Sequence, residues 1–221
     1  MRIESLRQLA HKQYAPEGPN QWPHIQRVLQ TARKIARQQL GRRLSPAEET
    51  AVLFHDVDKA NAGIQRHGEH AADWVRGHLK RLPEQDRNYV MGLIKFHDDD
   101  PPRTRHPAYN TGVPASVFNQ SLQLLQAADA TPPDLGAYIR KCFDFRKRKL
   151  LDFDREGFDD TLMQDVIQRV KTLVGIRAAE TNPLYARYYK DRLPAYVEKA
   201  KKLTLQEAYS LMEENRKKPL N

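Results

Sequence analysis

One cysteine, Cys142, is present in 221 residues, so no intrachain disulfide can form, and a reducing cytoplasm is the expected compartment. Long apolar runs are missing too. The longest purely aliphatic and aromatic stretch is Ala51 to Phe54, far short of the roughly 18 residues that a membrane span needs. The opening residues Met1, Arg2, Ile3 and Glu4 are amphipathic, with no apolar segment of the kind a secretory signal carries. There is no internal repeat, no low-complexity tract and no strand-like alternation of apolar and polar residues. These absences exclude a disulfide scaffold and a membrane-spanning protein, and they leave helices as the building element.

The composition that remains, 39% hydrophobic and 29% charged, is that of a globular chain too apolar to be disordered. Lys and Arg outnumber Asp and Glu by 37 to 28, for a formal charge of +9. A positive surface raises the local concentration of anions, so phosphate esters, nucleotides and nucleic acids are the partners it invites.

Apolar residues recur at helical spacing along most of the chain. Ile25, Val28, Leu29, Ala32, Ile35, Ala36 and Leu40 line one face of a helix that Gly41 ends. Ser45, Pro46 and Glu48 form a capping box with proline at the first helical position, which starts a second helix running to about Asp56. A third face contains Ala71, Ala72, Val75, Leu79 and Leu82, and Pro83 starts a fourth through Val90, Ile94 and His97. Residues 98 to 114 carry four prolines and read as a long loop of functional length. Helical spacing resumes at Phe118, Leu122 and Leu125, again over Ala137 to Phe145, and from Leu162 to Leu173. Asn182 with Pro183, and Thr204 with Glu207, open further helices, while Pro194 kinks or splits the one it falls in. The expected class is all-α: a single domain over 1–221, with a core at about 20–135 and C-terminal helices at about 136–216.

Several ionisable residues stand where these patterns call for apolar ones. Asp129 continues the face of Phe118, Leu122 and Leu125. His97 continues that of Val90 and Ile94. His55 and Asp56 follow the Ala51 to Phe54 run at a helix C-terminus, where the backbone dipole favours a cation. His24 opens the helix of Ile25 and Val28. A buried charge without a partner costs several kcal/mol, and imidazoles and carboxylates converging from separate helices are what a divalent metal requires. Neutral imidazole and carboxylate suit Fe, Mn, Co, Ni or Zn.

The ordered set His24, then His55 with Asp56, then Asp129, resembles the HD-domain superfamily of metal-dependent phosphohydrolases, in particular its small stand-alone bacterial members. The surrounding segments HIQRVLQTA, VLFHDVDK and AADATPPDLGAYIRKCF carry the likeness, which runs from about residue 20 to 200. It implies an all-helical HD core, a divalent metal (Mn, Fe, Co, Ni, Mg or Zn) held by His24, His55, Asp56 and Asp129, and hydrolysis of a phosphate monoester or diester. Some relatives hold a second ion with two further histidines and a bridging doublet aspartate; His70 and His97 stand at those places, with His67 as a substitute for His70. His78 and His106 have no matched position. Asp98, Asp99 and Asp100 stand where some relatives have another histidine, so the reading favours one tightly bound ion, with a second weak or absent. The glycine, tyrosine and proline signature of the cyclic-dinucleotide branch is absent, which argues against that substrate.

Lys59 matches a lysine that contacts phosphate in many relatives. Asp58 is a proton-transfer candidate by proximity to the doublet, and Arg66, Arg103 and Arg105 are candidates for neutralising substrate phosphate. The expected substrate is a nucleotide or another small phosphorylated metabolite. Two rival readings stand beside this one. An HD core can house a di-iron centre for oxygenase chemistry, and a basic nucleic-acid-binding protein would use the runs Arg146, Lys147, Arg148, Lys149 and Lys199, Lys201, Lys202. No named nucleic-acid motif accompanies those runs, so nucleic acid is not the favoured partner.

Overall fold

The chain is described from a computed structural model over residues 3–14, 22–57, 67–97, 111–130, 134–149, 158–173 and 182–217. The described residues form helices and no strand, so the class is all-α. In chain order the helices are α1 Ile3–Gln13, α2 Trp22–Leu40, α3 Pro46–Phe54, α4 His67–His78, α5 Glu84–Lys95, α6 Ala115–Asp129, α7 Leu135–Lys149, α8 Phe158–Leu173, α9 Pro183–Tyr188, α10 Leu193–Lys202 and α11 Leu205–Lys217. They fall into two compact units, 1–129 and 130–221. The sequence reading treats 1–221 as one domain with a core and appended helices; in the structure the second group has an apolar interior of its own.

In the first unit α3 lies at the centre, packing on α1, α2, α5 and α6. That position explains its sequence. Thr50 through Phe54 are all buried, because a helix surrounded by other helices has no solvent face to keep polar. Its start is set by Ser45, whose side chain accepts from the Glu48 N–H while the Glu48 carboxylate accepts from the Ser45 N–H at 2.7 Å. Glu48 is itself buried and holds Arg42 through two contacts of 2.7 Å and Ser121 through one of 2.6 Å. At the end of α2, Gly41 adopts φ 65°, and the Arg42 N–H reaches back to the Ala36 carbonyl at 3.2 Å. The left-handed backbone suits glycine there.

The second unit packs α7 on α8 and α11, with α10 against α8. Leu135, Ile139 and Phe143 from α7, Met163, Val166 and Val170 from α8, and Tyr196, Ala200, Ala208 and Met212 from the last two helices form its interior. Gly136 is required by the approach of α11: a Cβ there would lie 2.7 Å from the Leu211 carbonyl oxygen. Pro194 stands in the first turn of α10, so it begins a helix. Thr204 caps α11 as a box with Glu207.

Candidate metal centre

The polar cluster of the first unit is assembled from helix ends. His24 lies in the first turn of α2, His55 is the C-cap of α3 with Asp56 next to it, His67 opens α4, His97 follows the end of α5, and Asp129 closes α6. Helix ends suit this work because the last turn leaves carbonyls without helical partners. Two of those carbonyls orient imidazoles: His55 Nδ1 donates to Val52 O at 2.8 Å and His97 Nδ1 donates to Ile94 O at 2.6 Å. With a hydrogen on Nδ1 tied to a carbonyl, each ring turns Nε2 into the cluster, the nitrogen that a metal takes.

The ligand atoms divide into two groups joined by one carboxylate. His24 Nε2 lies 3.5 Å from Asp56 Oδ2 and 3.2 Å from Asp129 Oδ1. His55 Nε2 is 3.8 Å and 3.4 Å from the same two oxygens. On the other side of the carboxylate, Asp56 Oδ1 is 3.3 Å from His67 Nε2 and 3.7 Å from His97 Nε2, and those two nitrogens are 3.1 Å apart. Ligands on bonds of about 2.0–2.2 Å stand about 3.0–3.5 Å from one another, close to these separations. His24 with His55 and Asp56, His55 with His97 and Asp129, and Asp56 with His67 and His97 can each hold an ion.

Two observations test the fit. His55 Nε2 is fully buried without a hydrogen-bond partner among the described residues, an orphaned lone pair facing carboxylates. His67 Nε2 and His97 Nε2 face each other at 3.1 Å, a separation that a proton or a cation must mediate. The electrostatics agree. Burial pushes the Asp56 carboxyl up, but His55, His24 and His97 outweigh it and hold it well below its ordinary value. Asp129 is likewise pushed up by burial and carried well below by His55 and His24. Burial pushes the His24 imidazolium down, yet Asp129 and Asp56 bring its pKa above the ordinary value. Both carboxylates are ionised at neutral pH, as ligands need to be.

Of the residues singled out from the sequence, His24, His55, Asp56, His97 and Asp129 come together. His70 does not: its side chain is exposed on α4. His67, one turn earlier and 6% exposed, occupies the cluster in its place. The reason is helical phase, since His67 shares the buried face of Ala71 and Val75 while His70 points away from it. His78 is exposed and stacks on Trp74 at 4.2 Å. Asp58, Lys59, Arg66, Arg103, Arg105 and His106, with most of the expected 98–114 loop, lie outside the described residues.

Two residues at the centre escaped the sequence reading. Arg27 Nη2 lies 2.9 Å from His24 Nδ1. Tyr14, after α1, donates its hydroxyl to Leu53 O at 2.8 Å, behind the His55–Asp56 doublet. In the second unit, the basic run on α7 is partly matched by acids of α8, with Arg146 paired to Asp165 and Lys147 to Asp159. No described helix is long and apolar enough to cross a membrane. Comparison with models of known protein families, with curated proteins and with solved structures found no match.

Proposed function

We propose that the first unit is a metal-dependent phosphohydrolase of the HD-domain kind, acting on a phosphate monoester or diester such as a nucleotide or another small phosphorylated metabolite. The observation that carries this reading is the placement of Asp56, whose two carboxylate oxygens face separate donor groups, His24, His55 and Asp129 on one side and His67 and His97 on the other. A divalent ion bound there supplies Lewis-acid polarisation of a phosphoryl oxygen and a water acidic enough to be a nucleophile near neutral pH. The chain's own residues do the rest. The Val52 and Ile94 carbonyls hold the His55 and His97 rings with Nε2 inward. Asp56, 1% exposed, presents one carboxylate oxygen to each group. Asp129, with a side chain 27% exposed, marks the more open edge, the side on which a substrate has access. The excess of basic residues favours an anionic substrate.

The test is metal analysis of purified protein, followed by nucleotides, phosphate monoesters and diesters assayed with Mn, Co, Ni, Fe, Zn or Mg. Chelation should abolish turnover and added metal should restore it. Turnover that survives exhaustive chelation would refute the mechanism, and oxygen consumption with an organic substrate would transfer the centre to the di-iron oxygenase reading.

A further inference from the structure

We propose that Arg27 is the phosphate anchor of this centre, parked on His24 until a metal takes that ring's other nitrogen; the proposal rests on the phosphohydrolase reading and names the group that holds its substrate. A guanidinium has donors and no acceptor. When the His24 ring is neutral, its Nδ1, 2.9 Å from Arg27 Nη2, can only accept, and the single ring hydrogen sits on Nε2, toward Asp129 at 3.2 Å and Asp56 at 3.5 Å. That is the opposite tautomer from His55 and His97, whose Nδ1 hydrogens are tied to backbone carbonyls.

The difference has a chemical consequence. A metal on His24 Nε2 needs that nitrogen bare, which moves the hydrogen to Nδ1 and sets it against an Arg27 N–H. Two donors cannot share one hydrogen bond. Metal ligation by His24 and its contact with Arg27 exclude each other, and loading the centre frees the guanidinium.

A second observation says what the freed group would seek. Arg27 Nη1 is buried and has no hydrogen-bond partner among the described residues. The arginines that reach α3 are paired with acids instead: Arg42 with Glu48, and Arg7 and Arg33 with Glu49, although Arg7 Nε also lacks a hydrogen-bond partner among the described residues. No carboxylate is paired with Arg27 among the described residues. A buried donor left unmade is costly, and here both Nη atoms become available together, one turn along α2 from a ligand. Two parallel N–H groups match two oxygens of a phosphate. An arginine held for internal structure would instead carry the carboxylate that its neighbours have.

The experiment is calorimetric titration of inorganic phosphate into wild-type, Arg27→Met and Arg27→Lys proteins, each with and without Mn, after Mn affinity has been measured separately. Arg27→Met should bind Mn at least as tightly as the wild type, because nothing then opposes the ligating tautomer. Its phosphate affinity with Mn bound should fall by about 10- to 100-fold, the loss expected for charge-assisted hydrogen bonds. Arg27→Lys, which keeps the charge without the fork, should fall in between and serves if the Met variant does not fold. In the wild type, phosphate should bind better with Mn than without. Unchanged phosphate affinity in a Met variant that holds Mn overturns the anchor while the metal reading stands. Loss of Mn in either variant also overturns it, since Arg27 would then support His24 instead of competing for it. A wild-type protein that binds no metal removes the phosphohydrolase reading and this inference together.

Discussion

The first unit buries His55, Asp56, His67, His97 and Glu48 among its aliphatic residues, whereas the only buried non-aromatic polar side chain among the described residues of the second unit is Asn182. Asn182 is fully employed, accepting from the Leu184 and Tyr185 N–H groups at the start of α9. Two units of one all-helical chain thus treat polar burial differently. Buried charge is unfavourable unless it is paired or ligated, so an interior such as that of α7, α8, α10 and α11 is what packing alone favours. The first unit departs from it at two places. At Glu48 the departure is repaid internally by Arg42, Ser121 and Ser45. At Asp56 the neighbours are imidazoles, and His55 Nε2 has no hydrogen-bond partner among the described residues. The contrast separates a polar network satisfied within the chain from one that could hold a metal ion.

The largest effect should come from the residue that joins the donor groups. Asp56→Asn removes one oxygen ligand and the charge, and metal affinity should fall by more than about 100-fold. Metal at about 100 times its dissociation constant raises wild-type stability by about 2.7 kcal/mol, and this increment should vanish in Asp56→Asn. Calorimetry and thermal melts read both. Amide exchange should locate the metal-induced protection in α2 to α6; equal protection throughout α7 to α11 would break the contrast between the units.

Next in size is a deletion in the apolar interior. Met163, fully buried among residues of the second unit, should cost about 2–5 kcal/mol when changed to Ala, since the surroundings close only partly around the space. Denaturant unfolding measures the loss. The proposed metal ligands all lie in the first unit, so affinity for metal in the folded variant should equal that of the wild type, and a drop would break the comparison from the other side.

Glu48→Gln tests the stabilising network by its pH dependence. Burial pushes the Glu48 carboxyl up, but hydrogen bonds from Arg42, Ser121 and the Ser45 N–H outweigh it and hold it below its ordinary value of 4.5. A carboxyl with a lowered folded pKa contributes stability that is present above about pH 4.5 and is lost as pH falls through the folded value. Glu48→Gln should therefore be about 1–3 kcal/mol less stable than the wild type near neutral pH, and the gap should narrow below pH 4.5. A gap that does not change with pH would show that the carboxylate charge contributes nothing.

Much of this was legible in the residues themselves, for identifiable reasons. Asp129, His97 and His55 stand one helical step beyond apolar residues, so periodicity alone carried them inward. His67 was legible by the same rule, because Ala71 and Val75 lie four and eight positions further on; His70, which the structure leaves exposed, came from the spacing of relatives and not from helical phase. Arg27 is three residues from His24, within reach on one helix face, but nothing in the pattern distinguishes it from Arg33 or Arg37. Tyr14 was not legible, since its contact with Leu53 spans 39 residues and depends on how α1 packs on α3. The division after Asp129 was hidden for a similar reason: helical periodicity identifies a buried face without saying which other face it meets.

The smallest effects allow the closest comparison, because the same atom can be removed from a phenol in each unit. Tyr14 is 5% exposed and gives its hydroxyl to Leu53 O at 2.8 Å, a carbonyl in the last turn of α3, two residues before His55. Burial and the Asp56 charge push its pKa well above the ordinary value, so it stays a neutral donor. Tyr14→Phe leaves that carbonyl without its partner and should cost about 1 kcal/mol. Because the lost bond anchors the end of the helix that carries His55 and Asp56, metal affinity should weaken by a small factor as well. Tyr196 is equally buried, at 5% exposure, but its hydroxyl has no hydrogen-bond partner among the described residues, and burial raises its pKa further from the physiological range. Tyr196→Phe removes an unsatisfied polar group from an apolar interior, so it should leave stability unchanged or raise it by up to about 1 kcal/mol, with metal affinity untouched. Thermal melts and metal titrations of the two variants, run side by side, measure opposite signs for one chemical change. Equal losses in both would mean that the two interiors handle polar groups alike.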